Sequence, residues 1–177
     1  MFEGNYILLS NKVGKSEVNI MGYKQAQICL NGHIINGNIE DYPESNQNYC
    51  ELCGSKTITE CPHCKYHIKG DEDYGIGYEL LQEHPAYCTN CGSPFPWTEE
   101  AINSAKELAS ILDELTYEEQ EELKKSLDDL VNDGPRTVVA TTKFKRILSK
   151  TTSEISSGFR EILVDVVSET VKKSIWG

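Results

Sequence analysis

The chain has 177 residues, of which 38% are hydrophobic, 8% aromatic and 25% charged, with a formal net charge of −11. That composition belongs to a globular protein on the polar side and excludes a disordered or collagen-like chain. No apolar run approaches the ~18 residues that a membrane-spanning helix needs. The opening Met1-Phe2-Glu3-Gly4 puts an acid where a secretory leader carries bases, and the apolar run at residues 6–9 is too short for one. A soluble, cytoplasmic protein is therefore expected.

Charge divides the chain unevenly. Residues 1–20 are neutral, 21–97 carry −6, 98–133 carry −9 and 134–177 carry +4. Residues 1–20 show no periodicity beyond a possible short strand at 6–9, and Met21-Gly22 offers a second start. They are read as a loose extension. Residues 21–97 are rich in Gly, Asn, Cys, Pro and Tyr, with apolar runs too short for helices. Short strands and turns are expected there. Such a module buries little on its own and needs a staple.

All seven cysteines fall between Cys29 and Cys91. An odd number cannot close entirely into intramolecular disulfides, and a cytoplasmic setting disfavours them in any case. The cysteines come in knuckles. Cys29-Leu30-Asn31-Gly32-His33 is followed by Cys50-Glu51-Leu52-Cys53, then Cys61-Pro62-His63-Cys64, then Cys88-Thr89-Asn90-Cys91. Two ligands with two residues between them sit on one tight turn, where both sulfurs reach one ion at about 2.3 Å. Gly54 and Gly92 follow two of these turns, where positive φ is wanted. Cys29, His33, Cys50, Cys53, Cys61, Cys64, Cys88 and Cys91 make eight ligands, enough for two closed tetrahedral zinc sites of structural type. A redox role for one pair would want a helix N-terminus in a βαβ setting, which is missing here. Sequential pairing is favoured, with the first four residues on one ion and the last four on the other. A cross-brace of first and third knuckles stays open, as does closure of Cys50, Cys53, Cys61 and Cys64 around the short gap between them.

From Thr98 the texture turns helical. Thr98 reads as an N-cap followed by Glu99 and Glu100, with Trp97 and Ile102 as a hydrophobic staple. Apolar residues from Ala101 to Leu115 recur at helical spacing. Thr116-Tyr117-Glu118-Glu119 is a capping box that opens a second helix, and Asn132-Asp133-Gly134-Pro135 is a stop. The β-branched run from Thr137 leaves a strand open, but Ala140, Phe144, Ile147 and Leu148 favour a helix. A last helix carries Ile155, Phe159, Ile162, Leu163, Val166, Thr170 and Ile175 on one stripe, with a kink or start at Ser156-Ser157-Gly158. The fold class is thus α+β: an extension at 1–20, a double zinc-ribbon module at 21–97 and a helical region at 98–177.

The residues Ala26-Gln27-Ile28-Cys29-Leu30-Asn31-Gly32-His33, Thr57-Ile58-Thr59-Glu60-Cys61-Pro62-His63-Cys64 and Tyr87-Cys88-Thr89-Asn90-Cys91-Gly92-Ser93-Pro94-Phe95-Pro96-Trp97-Thr98 resemble a bacterial family known only as a domain of unknown function with zinc-ribbon character. The segment from Pro135-Arg136-Thr137 to Lys172-Lys173 is similar to that family's tail. The resemblance runs from about residue 21 to the C-terminus. It implies zinc and no activity. The opening Cys and His followed by Cys-x-x-Cys-Gly is also similar to single zinc ribbons in which both knuckles share one ion. That likeness implies the sequential pairing, although one extra residue precedes Gly32.

No hydrolase triad, His-Glu-x-x-His run or phosphate loop is present. His67 and His84 are weak substitutes for a cysteine ligand, and His63 is expected at the surface. The acidic stretch between Cys64 and Cys88 reads as a packed insertion or a partner-binding hairpin with apolar tips, the former preferred. A non-catalytic zinc-binding adaptor or assembly protein is expected, docking on a protein partner or self-associating through residues 155–175. The alternative is a nucleic-acid-associated zinc protein using the basic segment 136–150, with Arg136, Lys143, Lys145, Arg146 and Lys150. Pairing of those bases with the preceding acidic helices is preferred.

Overall fold

The computed structural model describes residues 22–177. The extension at 1–20, its expected strand and the Met21 start lie outside the described residues. The first half is built from two small antiparallel sheets. One holds β1 (Gly22–Gln25), β5 (Lys69–Asp73) and β6 (Tyr78–Glu79) in the order β1-β5-β6. The other holds β2 (Gln27–Cys29), β3 (Ile34–Asn36) and β4 (Thr57–Ile58) in the order β3-β2-β4. The chain passes between sheets at Ala26, which is fully buried and whose N–H donates to the Ile68 carbonyl at 2.9 Å. The two sheets touch backbone to backbone at Gly37 and Gly70. A Cβ on Gly70 would stand 1.9 Å from the Gly37 carbonyl oxygen, so only glycine allows this approach.

Five helices follow: α1 (Pro96–Ser110), α2 (Tyr117–Val131), α3 (Thr137–Leu148), α4 (Ser153–Leu163) and α5 (Glu169–Trp176). The expected capping box forms. Glu119 N–H donates to Thr116 Oγ1 at 3.3 Å, and Thr116 N–H donates to the Glu119 carboxylate at 3.1 Å. The segment after Pro135 is helix, with Ala140, Phe144, Ile147 and Leu148 buried. The architecture is therefore α+β, as the sequence implies.

Two expectations need correction. First, α1 begins at Pro96 after Phe95, and Thr98 is not its N-cap. Proline loses nothing at the first helical position, where its absent N–H would find no partner anyway. Thr98 is fully buried and its hydroxyl donates to the Ala86 carbonyl at 2.9 Å. Trp97 stacks on Phe95 with ring centroids 4.8 Å apart, and its indole donates to the Pro85 carbonyl at 2.9 Å. Its side chain joins the core of the β module, whereas Ile102 packs with the helices.

Second, the last helix is two helices. Ser168 caps α5 by accepting from Val171 N–H at 3.3 Å, so the chain turns after Leu163. The start considered at Ser156-Ser157-Gly158 is not there, since α4 begins at Ser153 and Gly158 lies inside it. Breaking there lets α4 pack on α1 and α5 on α3. Phe159, Leu163, Val166, Val167 and Val171 all enter one core with Leu123, Leu127, Leu130 and Phe144. Thr170 falls on the exposed side. The stripe is thus spent inside the chain, and an intermolecular contact through residues 155–175 loses the free apolar face it rested on.

The module at 22–97 keeps its own core of Ala26, Ile28, Cys61, Ile68, Cys88, Phe95 and Trp97. No helix among the described residues is long and apolar enough to cross a membrane.

Candidate metal centres

Each of the three Cys-x-x-Cys knuckles is a tight turn closed by the same backbone bonds. In the second, Gly54 N–H donates to the Cys50 carbonyl at 2.8 Å and Cys50 N–H to the Ser55 carbonyl at 2.9 Å. The third repeats this with Lys65 to Cys61 and Cys61 to Tyr66, the fourth with Gly92 to Cys88 and Cys88 to Ser93. A cross-strand bridge flanks each turn: Tyr49 with Lys56, Glu60 with His67, Tyr87 with Pro94. Three separate stretches of sequence therefore fold into one device that presents two sulfurs on the same side.

The residue after the second cysteine takes positive φ in all three: Gly54 at 72°, Lys65 at 62° and Gly92 at 73°. Lysine pays for this conformation with a Cβ clash that glycine avoids. Lys65→Gly is expected to stabilise the third knuckle by up to about 1 kcal/mol, because its freer unfolded chain offsets part of the relief. A denaturation midpoint that falls on this substitution would contradict the strain.

The structure gathers Cys29, His33, Cys50 and Cys53 in one cluster and Cys61, Cys64, Cys88 and Cys91 in another. In each, the ligand atoms all lie within 4.8 Å of one another. This is the sequential arrangement. Neither the cross-brace nor closure around the short gap is formed. The separations match a tetrahedron. Zinc bonds of about 2.3 Å to sulfur and about 2.0–2.1 Å to nitrogen give edges of about 3.8 Å between sulfurs and about 3.6 Å from sulfur to nitrogen. Cys29 and Cys53 sulfurs stand 3.8 Å apart, as do Cys61 and Cys91, while Cys64 and Cys88 are 3.6 Å apart. His33 Nδ1 lies 3.5 Å from Cys29 Sγ and 3.6 Å from Cys50 Sγ, so Nδ1 is the nitrogen that faces the centre. Both clusters can hold a metal ion.

Surrounding groups tune the thiols in opposite directions. Burial pushes Cys29 up, and it pushes Cys88 up to about 11. The Ser55 backbone N–H and hydroxyl hold Cys53 down to about 6, and Ser93, hydroxyl first and N–H second, does the same for Cys91. Asn90 donates its side-chain amide to Cys64 Sγ at 3.6 Å, which lowers that thiol too. His33 N–H donates to Cys29 Sγ at 3.3 Å. Donors of this kind stabilise thiolates and fix their direction. Sequence reading missed Ser55, Ser93 and Lys65, although the repeated Cys-Gly-Ser after two knuckles was a signal for the serines.

The remaining histidines stand outside both clusters. His63 is exposed. His67 stacks on Tyr66 at 4.2 Å, and His84 packs edge-on against Trp97 at 5.4 Å.

The basic segment is engaged elsewhere. Arg136 pairs with Asp129 at 3.0 Å, Lys143 with Glu122 at 3.2 Å, Arg146 with Glu122 at 2.6 Å and Lys150 with Glu119. Lys145 donates to the Ser174 carbonyl at 2.9 Å. The basic face of α3 is thus laid against the acidic face of α2, the arrangement preferred from the charge pattern.

Comparison with curated proteins gives no match, and comparison with solved structures gives none. A family model described as an uncharacterised protein conserved in bacteria, DUF2321, matches residues 22–175. That span takes in both clusters and all five helices except the last residue of α5, and the chain belongs to this family.

Proposed function

We propose that this chain is a non-catalytic zinc-binding adaptor, with one structural zinc ion in each cluster and a docking surface on the zinc module. The observation that carries the reading is the closure of both clusters. Each supplies four sulfur or imidazole donors, whereas a catalytic zinc keeps one position for water or substrate. Soft thiolate donors with an imidazole in tetrahedral array favour zinc over magnesium or calcium. Docking falls to the zinc module because its small core leaves Tyr49, Leu52, Ile76 and Leu80 exposed, while the apolar stripe of the last two helices is buried.

Elemental analysis of the purified chain is expected to give two zinc ions. Cys53→Ser and Cys91→Ser are each expected to lose one and keep the other. A metal content near zero with a full set of reactive thiols would overturn the reading.

Nucleic acid is not the favoured partner, because four of the cations that would meet phosphate already face carboxylates and Lys145 faces the Ser174 carbonyl. In a gel-shift assay at physiological salt the wild type is expected to retard neither DNA nor RNA, and neutralising Lys143, Lys145 and Arg146 together is expected to change nothing. A shift that weakens steeply with salt and disappears in the triple variant would favour the nucleic-acid reading instead.

A further inference from the structure

The sequence favours an insertion packed on the helices for residues 65–87. The structure instead sends much of it outward as the β5–β6 hairpin, whose β5 pairs with β1. The turn at residues 74–77 is closed by Tyr74 N–H donating to the Gly77 carbonyl at 3.0 Å. Gly75 takes φ of 76° at its first central position, as a type II′ turn asks of glycine. The second central position holds Ile76, which is 99% exposed. Such positions usually carry small polar residues. Tyr74 and Tyr78 flank it and Leu80, 62% exposed, follows on the same arm. Ile76 heads the hairpin, with Tyr74 on the face that carries Glu72 and Glu79 and with Tyr78 and Leu80 on the opposite face.

The stem states what kind of surface this tip would meet. Glu72 and Glu79 are directly opposite each other in the β5–β6 register. Like charges in that relation repel. Lys24, the nearby cation, is spent on Asp41 at 3.1 Å and Asp73 at 3.6 Å, and Lys69 lies over the Tyr23 ring. Among the described residues no ion pair reaches Glu72 or Glu79. The Tyr74 hydroxyl donates to Glu79 at 3.0 Å, which holds the facing carboxylates beside the tip. A cation supplied from outside would relieve this pair while Ile76 is buried.

We infer that the β5–β6 hairpin is the docking element of this protein, and that its occupant is a protein surface with an apolar pocket rimmed by Lys or Arg. A second copy of the chain is a poor occupant, because it would bring the same two glutamates to the interface and a net charge of −11. An anionic membrane is a poor one for the same reason. This inference rests on the adaptor reading and gives it a site.

The test uses the zinc-loaded full chain with a photoreactive residue in place of Ile76 and, separately, in place of Val138, which is 77% exposed on α3. Both are irradiated in lysate of the cell that makes the protein. The cross-linked protein is identified, purified and titrated against the unmodified chain. Expected is an adduct specific to position 76, whose purified partner binds more weakly as salt rises. Ile76→Asp should weaken it about tenfold or more, and the double change Glu72→Gln with Glu79→Gln should flatten the salt dependence. Ile76 touches little, so thermal unfolding of Ile76→Asp should match the wild type. Adducts at Val138 alone, or binding indifferent to Ile76, would overturn the hairpin site and leave the adaptor reading standing. No adduct at either position would count against both. Self-association lost with Ile76→Asp would assign the tip to a second copy. Flotation with phosphatidylcholine–phosphatidylserine vesicles would assign it to a membrane. Either result refutes the inference.

Discussion

Stripping the metal is expected to unfold residues 22–97 and leave the helical region standing. The two halves bury separate cores, and only the first contains candidate ligands. Four large apolar side chains, Ile28, Ile68, Phe95 and Trp97, fill the smaller core. At about 1.5–3 kcal/mol each they supply no more than the about 10–16 kcal/mol that one closed zinc site contributes. The module therefore lives on its metal. The chain has two tryptophans, and they report separately. Trp97 sits in the zinc-module core and Trp176 packs on the helical core, edge-on to Phe144 at 6.4 Å. In Trp176→Phe, chelator is expected to shift the emission of Trp97 to the red. In Trp97→Phe, the emission of Trp176 is expected to stay in place, with most far-ultraviolet helix signal retained. The first turn of α1 is the exception, because Phe95, Pro96 and Trp97 anchor it in the zinc module. Loss of both tryptophan signals together would show that the halves fold as one unit.

The donors were legible because their chemistry is short-range. A Cys-x-x-Cys pair can do little but converge, so the eight residues and their order along the chain pointed to the observed clusters. The pairing was harder, since it depends on how β2, β4 and the later turns cross, and those strands are two or three residues long. Lys65 shows the limit of a motif. Its neighbour Cys64 belongs to a knuckle like the others, yet the position that elsewhere holds glycine holds lysine, and only the φ of 62° reveals that the turn is unchanged. Thr98 shows the limit of a cap rule. The residue type was right for an N-cap, but a proline at the first helical position two residues earlier and a buried carbonyl at Ala86 took precedence. The charge pattern does point to α3 against α2, because acid and base blocks that follow one another across a short stop have few other places to go.

Phe159→Ala is expected to destabilise the helical region by about 3–5 kcal/mol, the range for deleting a buried aromatic ring from a packed core. Phe159 is fully buried, and its ring meets Phe144 edge-to-face with centroids 5.5 Å apart. That geometry adds to the value of the buried area. Marginal domains hold about 5–15 kcal/mol in all, so this one change takes a large share. Phe159→Asp, which buries an unpaired charge, is expected to unfold α4 and α5 outright. Ile162 is only half-buried, and Ile162→Ala should cost less. Val138→Ala, on an exposed position, should stay within about 0.5 kcal/mol. Denaturant unfolding followed by helix signal gives the order, and zinc content should be the same in all four variants. The sequence alone had pointed the same stripe at a partner. It is apolar around much of its length, and one unbroken helix would have had too few neighbours to cover it. The turn between Leu163 and Glu169 changes that count. Two short helices reach two different neighbours, α4 on α1 and α5 on α3, so Phe159, Leu163 and Val171 are all covered in one core. If Phe159→Ala instead keeps its stability and alters the mass of the protein in solution, the stripe serves an interface and this packing is wrong.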